Sequence, residues 1–169
     1  TLSPEVERHT ITLIAPSKTF NIPGLHCSVA IIPHEPLRRQ FLGAFQGLVG
    51  SVEIMGYVAA LAAYRYGDPW LREVLAYLES NRDYLADYIA HNLSGIHLAK
   101  PEGTYLAWLD CRAAGLPQSP FSFFLEKARV ALNDGAAFGP GGQGFVRLNF
   151  ACPRAILDEA LERMRRALE

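Results

Sequence analysis

The chain has 169 residues, 16 Lys+Arg against 17 Asp+Glu for a formal charge of -1, and 50% hydrophobic residues. That length sustains a real core, while the balanced charge gives no basic footprint for nucleic acid or an anionic membrane. Three cysteines, Cys27, Cys111 and Cys152, are widely spaced and form no C-x-x-C pair, which argues against a disulfide framework or zinc site and for buried thiols in a reducing, cytoplasmic compartment.

The N-terminus, Thr-Leu-Ser-Pro-Glu, has no initiator Met and no basic or apolar signal region, so it reads as a cut edge. The apolar stretch at 57–64 is far too short to span a bilayer. Residues 10–15, TITLIA, have the profile of a short buried strand stopped by Pro16, and 28–32 form a second strand. Between them lies a turn-rich connection, PSKTFNIPGLH, that carries Lys18. Beyond Pro33 the pattern turns helical: Leu37, Phe41, Leu42, Phe45, Leu48 and Val49 recur at three and four, then Ile54, Val58, Leu61 and Ala62, with Gly50-Ser51 as break and cap.

Asp68-Pro69 opens a long third helix, and Gly95 ends it as a left-handed cap. Its stripe of Leu71, Val74, Leu75, Leu78, Leu85, Ile89 and Leu93 reads as core. Strands are then expected at 104–110, 129–132 and 145–151, with a short helix at 121–128. A final helix starts at Pro153 and presents Ile156, Leu157, Ala160, Leu161, Met164 and Leu168 to that small sheet. The composition shift at 95–103 marks the expected domain boundary.

Two residues stand out chemically. Lys18 follows a strand in a loop that can bring backbone close to a ligand. It is either a solvated surface amine or, if desolvated, one able to attack a carbonyl. Arg147 projects from the strand FVRLNF on the face it shares with Phe145 and Asn149, opposite Val146, Leu148 and Phe150. A half-buried guanidinium there serves a structural ion pair or clamps a substrate carboxylate. The run at 139–144 contains a literal G-x-G-x-x-G but leads into a strand, so the dinucleotide reading is rejected. The histidines, His9, His26, His34, His91 and His97, have no metal-ligand spacing.

The string Ala15 to Leu25, APSKTFNIPGL, resembles the Schiff-base lysine segment of pyridoxal-phosphate enzymes of the aspartate-aminotransferase fold, most closely the MalY/PatB-type cystathionine β-lyases and related aminotransferases. PEGTYLAWLD at 101–110 and FVRLNFA at 145–151 are similar to that family's segments, in the same order. The resemblance implies an α/β chain: a partial large domain with a strand pair and lysine loop (1–50), connecting helices (51–95) and a small C-terminal α+β domain (96–169). It implies pyridoxal 5'-phosphate (PLP) as cofactor, Lys18 as the Schiff-base lysine and Arg147 as the α-carboxylate clamp. The expected partners are an amino-acid substrate and a second copy in a homodimer, not nucleic acid or membrane. The expected reaction is C–S β-lysis of a cysteine-type thioether, with transamination as the alternative; a third reading makes the isolated chain an inactive fragment or dimerisation module. The sequence departs from the wider family where a serine and a basic residue bind the cofactor phosphate: Ala15 and His26 occupy those positions. Ser17 and His26 are the remaining phosphate candidates. The family's pyridine-pairing aspartate, ring-stacking aromatic and phosphate loop precede its lysine and are not in this chain.

Overall fold

The computed structural model describes residues 3–48 and 50–169, so Val49 of the expected helical stripe lies outside the described residues. The chain divides into two compact units, Thr1–Glu73 and Val74–Glu169.

The N-terminal unit opens with α1 (Pro4–Arg8), whose Ser3 hydroxyl accepts from the Val6 N–H at 3.2 Å. Strands β1 (Thr12–Ile14) and β2 (Val29–Ile31) pair antiparallel with Leu13 opposite Ala30. Between them the chain forms one helical turn, α2 (Pro16–Thr19), and a 3-10 turn at Pro23–Leu25, where the sequence suggested only irregular loop. Proline at the first helical position of both turns presets φ without removing a hydrogen bond. The buried strand expected at 10–15 is instead exposed at every position of β1, as is β2, because this two-stranded ribbon has no covering layer among the described residues. Three helices follow: α3 (Glu35–Phe45), α4 (Ile54–Tyr66) and the start of α5 (Asp68–Asn92). Glu53, rather than Gly50-Ser51, precedes the first turn of α4. Gly56 of α4 packs so closely on the connection that a Cβ there would meet the Leu25 carbonyl oxygen at 2.5 Å. Phe20, at the end of α2, stands edge-on to Tyr64 at 5.8 Å.

In the C-terminal unit, α5 continues to Asn92, and Gly95 turns the chain with φ +76. The sheet comprises β3 (His97–Leu98), β4 (Leu106–Asp110), β5 (Asn133–Asp134) and β6 (Phe145–Asn149), ordered β3-β4-β6-β5 and antiparallel throughout. The strand expected at 129–132 is corrected to the two residues of β5. Arg129 is left-handed with φ 57, where it ends a π turn (Phe124–Ala128) that continues α6 (Pro120–Phe123), so the chain extends only afterwards. The last helix, α7 (Arg154–Leu168), lays Leu157, Leu161 and Met164 on the core. With Leu85, Ile89, Leu93, Ala107, Leu109, Phe124, Val146, Leu148 and Phe150 they form one continuous apolar cluster.

Only the C-terminal half of the expected α5 stripe is core: Leu85, Ile89 and Leu93 are buried, whereas Leu71, Val74 and Leu78 are half-buried and Leu75 is exposed. The fully buried residue one turn before Leu85 is polar. Asn81 donates to the carbonyls of Phe150 (3.0 Å) and Cys152 (2.9 Å) and accepts from the Arg154 Nε at 2.9 Å. It thereby ties α5 to the end of β6 and the start of α7. Further along, the Tyr88 hydroxyl donates to Glu162 at 3.0 Å, and Arg165 and Arg166 also engage that carboxylate.

Replacing Asn81 with Ala strands two inward-facing carbonyls, and a loss of about 2–4 kcal/mol is expected in urea unfolding of the C-terminal unit. Hydrogen bonds from Arg165, Arg166 and Tyr88 lower the Glu162 pKa from 4.5 to about 2. Its stabilising contribution is therefore complete above the unfolded value and is lost as pH falls toward about 2. Thermal midpoints followed down that range should drop less steeply in Glu162→Gln than in the unaltered chain.

Candidate active site

Lys18, Ser17 and His26 all lie in the connection between β1 and β2, within the N-terminal unit. Lys18 is exposed on the last turn of α2, and among the described residues its amine has neither a hydrogen bond nor an acidic partner. The Ser17 hydroxyl, half-buried, and the exposed His26 ring are likewise unengaged within the described chain. His26 adopts φ 47, ψ 45, a left-handed conformation that ends the 3-10 turn. The connection is thus held by Pro16, Phe20 and the close approach of Gly56, while its polar side chains are left available.

Arg147 belongs to the other unit, at the centre of β6 and directly opposite Trp108 of β4. The alternation read from FVRLNF holds: Val146, Leu148 and Phe150 are buried, and Phe145 and Arg147 are half-buried on the other face. Arg147 Nη2 and Nε both donate to the Asn133 side-chain oxygen, at 3.1 and 3.3 Å. Its guanidinium lies 4.6 Å above the ring of Phe138, whose edge meets Trp108 at 5.5 Å, and Trp108 stacks on Phe145 at 5.5 Å.

The structural ion pair allowed by the sequence is not present, since no carboxylate lies against Arg147 among the described residues. Four arginines of this unit are half-buried. Arg82 and Arg165 pair with acids. Arg154 is committed to Asn81, Ser80 and the face of Tyr84. Arg147, unlike Arg82 and Arg165, has no acidic partner among the described residues, and its Nη1 makes no hydrogen bond there. Nearby Asp110 is taken up by Arg112, whose hydrogen bonds lower its pKa from 3.8 to about 2.

The glycine-rich run has a structural task. Gly135 and Gly142 abut so tightly that a Cβ on either would run into the other's carbonyl oxygen, and Gly139 has φ +117. This folds residues 135–144 into a compact pair of 3-10 turns (Gly135–Phe138 and Pro140–Gly142) that lays Phe138 beneath Arg147. Asn133 and Phe138 escaped the sequence reading; the Asn-Asp-Gly turn signal just before the run was the available clue. The cysteines are free, with Cys27 and Cys111 buried and Cys152 half-buried. Burial pushes the Cys111 thiol up to about 12, which makes it inert at neutral pH. No group of His, Cys, Asp or Glu suited to a metal ion occurs among the described residues.

The small antiparallel sheet backed by helices and the lysine-bearing connection that precedes it in the chain are shared with solved structures of pyridoxal-phosphate enzymes. Residues 1–164 match the aminotransferase class I and II family, and the chain belongs to it. It is 39% identical over 170 residues to cystathionine β-lyase PatB of Bacillus subtilis, a match that covers 99% of this chain and 44% of PatB. A PLP-bound protein from Clostridium difficile 630, provisionally named an aminotransferase, superimposes with TM-score 0.91 at 43% identity, over 99% of this chain and 44% of that one. Cystalysin from Treponema denticola, whose structure contains a pyridoxal 5'-phosphate cofactor, gives TM-score 0.91 at 33% identity, over 99% and 43% of the two chains. The chain therefore spans less than half the length of these relatives.

Adding a methyl group at Gly142 should break the turn pair: Gly142→Ala is expected to lower stability by about 1–3 kcal/mol through overpacking. The accompanying amide-resonance shifts should concentrate at Asn133, Phe138 and Arg147 rather than in α7.

Proposed function

We propose that the protein carrying this chain is a PLP-dependent C–S β-lyase that cleaves a cysteine-type thioether to a thiol, pyruvate and ammonia. One observation carries the reading within this family: among the described residues neither the Lys18 amine nor the Arg147 guanidinium is paired with an acid. An aldehyde cofactor needs such an unengaged amine, and an amino-acid carboxylate needs such a guanidinium. The free hydroxyl of Ser17 and ring of His26, in the same connection as Lys18, fit the phosphate end of PLP.

When bound, PLP supplies an electron sink for the charge that develops at Cα. Lys18 Nζ would hold the cofactor and, once displaced by the substrate amine, would take up the Cα proton. Arg147 would bind the α-carboxylate through the nitrogens turned away from Asn133, which fixes the substrate while Asn133 holds the Nε–Nη2 edge and Phe138 lies against one face. The Cβ–S bond breaks with its electron pair leaving on sulfur as thiolate, which takes up a proton. One water completes conversion of the three-carbon remainder to pyruvate and ammonia. The name of PatB favours lysis over transamination, which would use the same two residues.

The proposed division is a large-domain portion with the lysine connection (1–50), connecting helices (51–95) and a small domain (96–169). The complete enzyme is proposed as a cytoplasmic homodimer. The exposed apolar residues of the N-terminal unit, among them Leu13, Ile54, Met55 and Leu61, would meet the rest of the enzyme and the second copy. By itself the 169-residue chain is proposed to be inactive, since it matches only 44% of PatB.

Borohydride reduction of the PLP-loaded complete enzyme, followed by peptide mass analysis, should place the label on Lys18. Label on Lys100 or Lys127, the other lysines of this chain, would overturn the assignment. Pyruvate release from cystathionine without a keto-acid acceptor is the expected activity; strict dependence on an acceptor would replace lyase by transaminase. Arg147→Ala should raise KM for the amino acid at least about tenfold.

A further inference from the structure

The surroundings of Arg147 point to a second layer of function. We propose that Asn133 and Phe138 are positioning residues for the carboxylate site: they immobilise the Arg147 guanidinium while leaving its charge uncancelled. The inference rests on the reading of Arg147 as the substrate clamp.

A long arginine side chain on a sheet face is mobile unless something holds it, and ordering it against a ligand costs side-chain entropy. The usual holder is a carboxylate, as Glu162 is for Arg165 in this same unit. At Arg147 the holder is instead a neutral amide oxygen, which accepts from Nη2 at 3.1 Å and Nε at 3.3 Å. Phe138 takes one face of the guanidinium at 4.6 Å and contributes cation–π attraction, again without a compensating negative charge. Asn133 lies directly across the β5–β6 ladder from Arg147. An acid at that ladder position would form a cross-strand ion pair and occupy the fork that a substrate carboxylate needs.

The neighbouring sequence sharpens the point. Asp134, the next residue, has its carboxylate turned into a local turn, where it accepts from the Ala136 N–H at 3.1 Å. The acid of this Asn-Asp pair is thus spent on the loop, and the amide faces the arginine. The tight Gly135–Gly142 contact then returns Phe138 to its place beneath the guanidinium. The glycine run is in this way part of the positioning device.

Two readouts test the proposal. In the 169-residue chain, ¹⁵N relaxation of the Arg147 Nε–H should report a rigid side chain, and Asn133→Ala and Phe138→Ala should each release it while leaving the amide spectrum of the core unchanged. In the complete enzyme, Asn133→Ala should raise KM for the amino acid about three- to tenfold with kcat and PLP content little changed. Asn133→Asp should keep Arg147 rigid yet raise KM further, because the new carboxylate competes with the substrate. An Arg147 side chain that stays rigid in both alanine variants would overturn the positioning role. So would an Asn133→Asp enzyme with an unaltered KM, provided Arg147→Ala raises it. If Arg147→Ala leaves KM unchanged, the clamp reading itself fails, whatever the relaxation data show.

Discussion

The C-terminal unit is organised around one buried amide. Asn81 sits on α5 where the apolar stripe calls for a leucine, and it spends both amide hydrogens and its carbonyl on three partners far away in sequence. A hydrophobic residue there would pack but specify nothing. The amide fixes the register between α5, the end of β6 and the first turn of α7, since its donors are satisfied only when Phe150 and Cys152 present their carbonyls to it. Because Arg147 lies three residues before Phe150, that lock also limits where the central strand can sit under the guanidinium.

Around this lock the two faces of β6 divide the work. Val146 and Leu148 close the core against α7 and the π turn, and Phe145 and Arg147 build the outer face with Trp108 and Phe138. The same alternation that supplies apolar burial therefore delivers a polar cation to the opposite side without burying it in the core. In the N-terminal unit the equivalent economy is local: prolines and a close glycine contact shape the connection, and the side chains of Lys18, Ser17 and His26 make no hydrogen bond among the described residues.

Much of this was legible from local patterns. The three- and four-residue spacing located α3, α4, α5 and α7 closely, and strict alternation put Arg147 on the correct side of β6. What failed depended on distant partners. Asn81 carries no signal in the apolar spacing of α5, because its value comes from the carbonyls of Phe150 and Cys152, distant in sequence. The strand expected at 129–132 shifted to Asn133–Asp134 because a left-handed Arg129 delays extension, and no propensity marks that turn. TITLIA is apolar, which favours burial; its exposure reflects which neighbours the described chain supplies, a quantity absent from composition. Asn133 was missed for a related reason, since its role exists only through the residue paired opposite it.

Helix α4 illustrates how differently the two units are specified. An amphipathic helix such as α7 has one side that water rejects, so its rotation about its own axis is settled by the first surface it meets. In IMGYVAALAAYRY, apolar groups point in every direction, and Ile54, Met55, Tyr57, Val58 and Leu61 are all exposed. Such a cylinder has no preferred side. What sets one azimuth apart is the line of Gly56, which receives the Leu25 carbonyl, buried Ala60, and Tyr64, which meets Phe20. Its orientation is therefore written less in an apolar stripe than in this narrow line against the lysine connection, and a larger residue at Gly56 would turn the helix rather than merely loosen it.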